Sequence, residues 1–274
     1  MHGTGNNFVV FDCFKNDVKL SKEQIKFLCS PNFGIGGDGV LLILPPKEKN
    51  YDGEMVMYNT DGSLSEMCGN GLRCVAKFIA DYYVKEKNLL TLLTGNGFKS
   101  AEIKKCDGFT ETVKINMGKP IFDGLKIPSI FKQDQVLNEK ISIEGIDYKF
   151  SLVSMGNPHC VIYVDDIDSF DLRKIGPKIE NHKFFPNRIN VSIVQILSKD
   201  ELKQRIWERG SEETYACGTG ACAVTVVSRT LGLINEKVKL NVKGGILECE
   251  YSGDGSSVSL KGNALEIFRG VIKI

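Results

Sequence analysis

The feature that most constrains this chain is a short glycine-rich cysteine motif that occurs twice. Cys-Gly-Asn-Gly occupies residues 68–71, and Cys-Gly-Thr-Gly occupies residues 217–220. A long segment with helical patterning follows each copy, so each cysteine stands at the start of a predicted helix. Two matching helix starts about 150 residues apart suggest that the chain consists of two related halves.

Other landmarks recur at nearly the same offset. Gly5-Asn6 precedes an apolar run in the first half, as Gly156-Asn157 does in the second. Tyr58-Asn59 and Glu208-Arg209 each end a strand-like segment ahead of a cysteine motif. One repeated motif can arise by chance, but several landmarks in the same order favour an internal duplication.

Hydrophobic patterning predicts the fold class. The helices after the two motifs are predicted over residues 69–84 and 218–231. Residues 221–227 carry no charge, which is typical of a helix buried on all sides. Shorter peripheral helices are predicted over 21–29 and 168–174, and the other patterned segments are short strands with no strand–helix–strand cadence. These patterns predict an α+β fold of two pseudo-symmetric halves, each a mostly antiparallel sheet around a central buried helix.

The duplication also predicts the domain organisation. An N-terminal half over residues 1–116 carries the first cysteine motif, and a C-terminal half over residues 117–262 carries the second. The final segment, 263–274, is expected to return to the N-terminal half through a last strand near 271–274. We expect the active site in the cleft between the halves.

Composition excludes several classes of protein. Lys plus Arg number 35 and Asp plus Glu number 34, so the net charge of +1 gives no electrostatic case for nucleic acid or an anionic membrane as partner. No apolar run approaches the ~20 residues of a membrane span. The opening residues have neither the basic flank nor the apolar stretch of a secretory signal, which predicts a cytoplasmic protein with its cysteines reduced.

The nine cysteines include no Cys-x-x-Cys pair, which disfavours zinc and iron–sulfur sites, so no metal site is predicted. The dipole and free N–H groups of a helix start lower the pKa of a thiol placed there. The flanking glycines let a substrate carboxylate approach those N–H groups. If Cys68 and Cys217 face each other, one can remove a proton from a carbon while the other returns a proton to its opposite face. The alternative is a pair of buried structural cysteines or a latent disulfide.

Two further polar segments are candidates for the site. His159 lies in a turn that belongs to a duplicated landmark, although a lone histidine in a turn is more often structural. Glu208 and Arg209 end an apolar strand just before Cys217. Adjacent opposite charges usually form a surface ion pair. Both charges would be needed, however, by a substrate that carries a carboxylate and an ammonium group.

These residues resemble those of the diaminopimelate epimerases over essentially the whole chain. The resemblance rests on four phrases in a fixed order: Met-His-Gly-Thr-Gly-Asn at 1–6, Asp-Gly-Ser at 61–63 leading to 68–74, Gly-Asn-Pro-His at 156–159, and Glu-Arg-Gly at 208–210 leading to 216–222. It implies a cofactor-free isomerase that interconverts LL- and meso-diaminopimelate in the biosynthesis of lysine and peptidoglycan precursors. A homodimer is a further expectation.

The resemblance also implies the roles of individual residues. Cys68 and Cys217 would be the acid and base, with His159 and Glu208 supporting the proton chemistry. The implied substrate-binding residues are Asn6, Asn59, Gly69, Asn70, Asn157, Asn190, Glu208, Arg209, Gly218 and Thr219. Of these, Gly69, Asn70, Gly218 and Thr219 would donate backbone N–H groups to the carboxylate beside the reacting carbon.

Three positions depart from the family pattern, and two other functions compete. Asn7, Gly39 and Glu212 stand where Asp, Gln and Gly, respectively, are common. One competing function is that of another two-thiol racemase, such as a proline-racemase-like enzyme, but proline lacks the second amino-acid head that Glu208 and Arg209 would suit. The other is a non-catalytic thiol or metal-binding protein.

Overall fold

The computed structural model describes residues 1–273, and contacts divide the chain into two compact units. The N-terminal unit comprises Met1–Asn116 together with the chain from Lys261 onward, and the C-terminal unit comprises Met117–Leu260. Each unit contains a sheet and two helices. Within residues 1–273, no helix is both long enough and apolar enough to cross a membrane.

The N-terminal unit is built on a mixed sheet of short strands. Its elements are β1 (His2–Gly3), β2 (Asn6–Asn7), β3 (Val9–Asp12), α1 (Lys22–Cys29), β4 (Gly39–Leu44), β5 (Gly53–Asn59), β6 (Leu64–Ser65), α2 (Gly69–Tyr82), β7 (Leu89–Thr94), β8 (Gly97–Cys106) and β9 (Phe109–Gly118). The strand order is β9-β8-β7-β5-β4-β3, with β6 paired to β5 and β1 paired to β2 as a separate hairpin.

The C-terminal unit repeats this plan. Its elements are β10 (Glu139–Ile143), β11 (Ile146–Ser154), β12 (Pro158–Tyr163), α3 (Leu172–Glu180), β13 (Asn190–Ser198), β14 (Glu201–Glu208), β15 (Glu212–Thr214), α4 (Gly218–Thr230), β16 (Lys237–Val242), β17 (Gly245–Glu250) and β18 (Val258–Gly262). The strand order is β10-β11-β12-β13-β14-β16-β17-β18, with β15 paired to β14.

The pairing pattern matches between the units, element by element. In the N-terminal unit β3 pairs parallel to β4, β4 antiparallel to β5, β5 parallel to β7, and β7 antiparallel to β8. The strands β12, β13, β14, β16 and β17 repeat the same series. Most pairings are antiparallel, as predicted, but the sequence did not reveal the parallel pairs. Each connection between two parallel strands contains a helix together with irregular segments or an extra short strand. The strand–helix–strand pattern typical of parallel sheets is therefore not visible in the sequence.

The two helices after the cysteine motifs are largely buried and pack against several strands of their own sheets, as predicted. In α4 the buried residues run from Gly220 through Ser228 without a break. The neighbouring strands approach these helices closely. A Cβ atom on Gly53 of β5 would lie 2.5 Å from Cδ1 of Ile79, and a Cβ atom on Gly220 would lie 2.4 Å from Cδ1 of Ile206. Larger residues at these two glycines would push helix and sheet apart.

The structure differs from the sequence predictions in several elements, including β18 and the short strands β1, β2, β6 and β15, which were not predicted. The helix predicted over 168–174 begins later, at Leu172, because the carboxylate of Asp171 caps it by accepting from the Lys174 N–H, and it continues through Pro177. The strand β9 was not predicted, although its buried and exposed residues partly alternate. Residues 271–273 form no strand, and position 274 lies outside the described residues.

Candidate active site

Cys68 is the N-cap of α2, the last residue before the helix begins. Its backbone is extended, and its Sγ accepts a hydrogen bond from the Gly71 N–H at 3.4 Å. Gly71 is close-packed, since a Cβ there would lie 3.2 Å from Cδ2 of Leu41. An N–H donor directed at sulfur stabilises the thiolate form. The glycine-rich motif thus gives Cys68 the helix-start environment that the sequence predicts.

Side-chain amides connect Cys68 to a buried arginine. Oδ1 of Asn6 lies 3.7 Å from Sγ of Cys68 and accepts from Nδ2 of Asn70 at 3.2 Å. Oδ1 of Asn70 in turn accepts from the guanidinium of Arg73 at 2.9 Å, and Arg73 also donates to the Thr4 hydroxyl at 2.9 Å. Because Arg73 can only donate, this chain fixes which end of each amide faces its neighbour. The carbonyl end of Asn6 therefore faces the sulfur.

The β1–β2 hairpin that carries Asn6 is fastened to the start of β4. One carboxylate oxygen of Asp38 accepts from Nδ2 of Asn6 at 2.8 Å and from the Asn7 N–H at 2.9 Å. The Asn7 side chain returns a bond, since its Oδ1 accepts from the Asp38 N–H at 2.9 Å. An amide at position 7 therefore closes this contact. Asp38 was not among the residues predicted from the sequence.

The remaining N-terminal candidate, Asn59, ends β5. Its Nδ2 donates to the Ser63 hydroxyl at 2.9 Å within the turn between β5 and β6. Gly39 packs tightly against β5, because a Cβ there would lie 2.6 Å from the Tyr58 carbonyl oxygen. The backbone at this position therefore leaves no space for a side chain.

Cys217 holds the equivalent N-cap of α4, but its surroundings differ from those of Cys68. No side-chain capping bond is made by Cys217, and its Sγ lies 3.4 Å from the Thr219 hydroxyl. Burial, followed by the negative charge of Glu208, raises the pKa of the Cys217 thiol well above its usual value. The helix start acts in the expected direction, since the Gly220 N–H lowers the pKa of this thiol, but it does not decide the net direction. Desolvation and a neighbouring carboxylate outweigh the helix-start donors.

Glu208 is the charged neighbour of Cys217, and a hydroxyl holds it in place. The carboxylate accepts a hydrogen bond from the Cys217 thiol, which further favours the protonated thiol. Its Oε1 also accepts from the Thr214 hydroxyl at 2.5 Å. Glu208 ends β14 and Thr214 ends β15, so the pairing of these strands brings the two side chains together. Thr214 was not among the residues predicted from the sequence.

His159 lies at the start of β12 and is fully buried. Its Nε2 donates to Oδ1 of Asn157 at 3.0 Å. Burial, with the positive charge of Arg209 as the second cause, lowers the pKa of His159 to about 3. The imidazole is therefore neutral near pH 7. Among residues 1–273, no hydrogen-bond partner reaches its Nδ1.

Asn190 and Arg209 lie next to each other in the C-terminal unit. The buried Asn190 side chain accepts the Arg209 backbone N–H at 2.9 Å and donates to the Pro158 carbonyl at 2.8 Å. The guanidinium of Arg209 donates to the Asn187 carbonyl at 3.2 Å, and the residue is otherwise exposed to solvent. The predicted residues of this unit, including His159, thus lie near the first residues of β12 and β13, the last residues of β14 and the start of α4.

The second cysteine of each motif has a different environment. Cys74 and Cys222 have no exposed surface. Burial raises the pKa of the Cys74 thiol to about 12. A thiol with no accessible surface cannot reach a substrate, whereas Cys68 is half-buried and Cys217 keeps 8% of its surface exposed. This supports the selection of Cys68 and Cys217 within the motifs.

Comparison with known proteins gives the chain's relatives. A family model described as diaminopimelate epimerase matches residues 1–122 and 151–266. Diaminopimelate epimerase of Leptospira biflexa is 49% identical over 100% of this chain and 98% of its own length. The enzyme of the same name from Brachyspira hyodysenteriae is 43% identical over 100% of this chain and 98% of its own length.

Solved structures with lower identity share the fold. A probable proline racemase from Agrobacterium radiobacter aligns with a TM-score of 0.65 at 16% identity, covering 95% of this chain and 88% of its own. A hydroxyproline epimerase from Agrobacterium vitis aligns with a TM-score of 0.62 at 15% identity, covering 95% of this chain and 86% of its own. These similarities confirm the predicted α+β fold class.

Proposed function

This chain belongs to the diaminopimelate epimerase family, and from that premise we propose how its residues interconvert LL- and meso-2,6-diaminopimelate. The enzyme is an amino-acid epimerase of the isomerase class. The observation that carries the mechanism is that both helix-start cysteines are present but lie in different electrostatic environments. One thiol removes the α-proton from one face of the carbon, and the other delivers a proton to the opposite face.

We assign the two cysteines different roles in the resting enzyme. Cys217 is the acid, since its burial and the Glu208 carboxylate keep its proton in place. Cys68 is the base. Its sulfur has a partner in either protonation state, because the Gly71 N–H can donate to a thiolate and the Asn6 carbonyl oxygen can accept from a thiol. A thiol that accepts and releases a proton in each cycle requires both a donor for its thiolate form and an acceptor for its protonated form.

The substrate's reacting amino-acid head would lie against the two helix starts. The backbone N–H groups of the first helical turns are directed out of the helix and favour an anion. Gly69, Asn70, Gly218 and Thr219 are proposed as the donors to the α-carboxylate. The mechanism requires that Cys68 and Cys217 reach opposite faces of one carbon, so the active site is proposed between the predicted halves.

The other end of the substrate would be held by polar side chains. Diaminopimelate carries a second ammonium and a second carboxylate, and Arg209 can grip a carboxylate through two parallel hydrogen bonds. Asn6, Asn59, Asn157, Asn190 and Glu208 complete the proposed binding set. His159 takes part as a neutral imidazole, because its low pKa prevents it from carrying a proton near pH 7.

The competing functions have weaker support. The racemase-like structural relatives are only 15–16% identical, so they inform the fold alone. The diaminopimelate epimerases are 38–49% identical over nearly full length. We still predict that the enzyme needs neither pyridoxal phosphate nor metal. The cytoplasmic location and the homodimer are also predictions.

The proposal is tested by incubating the purified protein with LL-diaminopimelate in deuterated water. Loss of the α-proton signal, with meso-diaminopimelate as product, is the expected result. Activity should persist after exhaustive dialysis against a chelator. Proline and lanthionine serve as alternative substrates. Turnover of proline without exchange on diaminopimelate would replace the proposal by the racemase alternative, and activity that returned only with one added metal would refute the metal-free mechanism.

A further inference from the structure

A buried carboxylate stands at the end of α3, outside the residues assigned to catalysis or substrate binding. Glu180 is only 5% exposed. Its Oε2 accepts from the indole Nε1 of Trp207 at 2.7 Å, and its Oε1 accepts from the Gly210 N–H at 3.1 Å. Arg188 approaches Oε1 less closely, at 3.4 Å, and its own side chain is half exposed. A buried charge is tolerated only where such donors compensate for lost hydration.

The Gly210 contact places Glu180 against the turn that follows β14. In this turn the Ser211 N–H donates to the Glu208 carbonyl at 3.0 Å, and Gly210 has a φ of +77°, which favours glycine. Arg209 and Gly210 are the two central residues. Each of their N–H groups donates to a side chain from outside the turn: the first to Asn190 at 2.9 Å, the second to Glu180. The backbone from which the Arg209 side chain projects is thus held at two successive peptide groups.

We infer that Glu180 is a positioning residue for substrate binding, acting through the backbone of Arg209. The inference rests on the proposed function, in which Arg209 binds the carboxylate of the diaminopimelate head that does not react. Glu180 is 5% exposed and both of its oxygens accept from protein donors, so it acts through the turn rather than on the substrate. Its bond to Trp207 fixes the carboxylate to β14, and its bond to Gly210 transmits that position to the turn. A bidentate guanidinium contact depends on such alignment.

The variant Glu180→Gln tests this role with little change of volume. The carboxylate accepts from Trp207 on one oxygen and from Gly210 on the other. An amide has a single oxygen, so its NH₂ group must face one of the two donors. We expect KM for diaminopimelate to rise about tenfold, roughly the effect of one lost hydrogen bond to a charged group, with kcat changed less than about twofold.

A purely structural role for Glu180 would give a different pattern. Loss of folded protein lowers the apparent kcat and leaves KM unchanged. The matched control is Ile179→Val, a fully buried neighbour on the same helix, which should lower the melting temperature without raising KM. Arg188→Gln should change neither constant, because its contact is long and exposed. Trp207→Phe keeps an aromatic ring but removes the indole donor, so it should raise KM less than Glu180→Gln does.

A double-mutant cycle with Arg209→Lys decides whether Glu180 acts through Arg209. If it does, the KM of the double variant will match that of Arg209→Lys alone within about twofold, because coupled residues are not additive. The inference is overturned if the KM increase of the double variant equals the product of the two single increases, or if Glu180→Gln leaves KM unchanged. In either case an active wild-type enzyme leaves the proposed function standing. Should Glu180→Gln fail to fold, an unchanged KM in Trp207→Phe overturns it. A wild-type protein that exchanges no α-proton refutes both proposals.

Discussion

The two helix starts carry almost the same four residues, yet they prepare their cysteines differently. Cys68 at the start of α2 receives the Gly71 N–H on its sulfur and faces a neutral amide. At the start of α4 the Gly220 N–H also favours the Cys217 thiolate, without a side-chain capping bond, but burial and the Glu208 carboxylate oppose it. In both units the cysteine is the N-cap of the helix. Burial, together with the Glu208 side chain from a neighbouring element, favours the protonated form of Cys217.

This difference explains how a duplicated motif supports an asymmetric reaction. A two-thiol epimerase requires one ionised and one protonated sulfur at the start of each cycle. Two identical environments would favour two thiolates or two thiols. We propose that the residue before Arg209 contributes to the asymmetry, because position 208 is a glutamate, whereas the matching landmark position in the first half is Tyr58.

The largest effects should come from removing either thiol. We expect Cys68→Ala and Cys217→Ala each to lower the exchange rate by at least about 10³-fold, because each cysteine carries a proton that no other group replaces. Exchange of the α-proton in deuterated water measures the loss. Circular dichroism should show that both variants remain folded.

Cys74→Ala and Cys222→Ala are the matched controls for these two variants. Cys74 lies six residues beyond Cys68, Cys222 lies five residues beyond Cys217, and both are fully buried. We expect each to reduce stability by about 1 kcal/mol and to keep most of the activity. If either control were as inactive as Cys68→Ala, the assignment of the catalytic cysteine in that motif would be wrong.

The next largest effect should come from removing the charge of Glu208, which distinguishes the surroundings of Cys217 from those of Cys68. Glu208→Gln removes the carboxylate that opposes ionisation of Cys217, so the pKa of that thiol should fall, and its alkylation by iodoacetamide should begin at lower pH. The exchange rate should fall about 10²-fold, since the acid is no longer held protonated. Glu212→Gln is the control, because it makes the same charge change at the exposed residue paired with Glu208. An unchanged alkylation profile in Glu208→Gln would remove the proposed source of asymmetry.

The sequence was sufficient to place both cysteines but not to distinguish them. The starts of α2 at Gly69 and α4 at Gly218 follow from local patterning and from the residues that favour a cap. The contact from Glu208 to Cys217, and that from Thr214 to Glu208, depend on the register of β14 against β15. Register is a tertiary property that single-residue patterns do not encode. For the same reason the interaction of Asp38 with Asn6 was not predicted.

For the fold, likewise, the sequence predicted most elements but not all of their pairing partners. The duplication correctly indicated two like sets of strands and helices, because the landmarks occur in the same order. The parallel pairs β3–β4 and β12–β13 were not predicted, since long crossovers separate their strands in sequence. Local signals specify elements, whereas pairing partners are decided by which apolar faces pack together.

A third test compares the acid sensitivity of the two units. The pKa of the buried His159 lies near 3, below the usual value of 6.5, so the unfolded chain binds a proton more readily than the native state does. This histidine therefore contributes stability above pH 6.5 that is lost as pH falls toward 3, by up to about 1.4 kcal/mol per pH unit. Urea unfolding at several pH values should show a shallower loss in His159→Gln. The half-buried His2 of the N-terminal unit is the control, and His2→Gln should change the pH slope little. Equal slopes for wild type and His159→Gln would mean that His159 is not held neutral.

The smallest effect should come from the turns that precede the two helix starts. Between β5 and β6 the left-handed backbone position falls on Gly62, with a φ of +83°, whereas after β14 a second such position falls on Glu212, with a φ of +63°. A side chain with a Cβ atom is strained in this region, and glycine is not. Glu212→Gly should therefore raise the free energy of unfolding by about 0.5–1 kcal/mol without altering kcat, because Glu212 is exposed. Asn138→Gly, at a φ of +55°, should gain less, since asparagine tolerates this conformation. If Glu212→Gly were destabilising, the glutamate side chain would have to make a compensating interaction, and the turn of the C-terminal unit would then differ from that of the N-terminal unit by more than backbone strain.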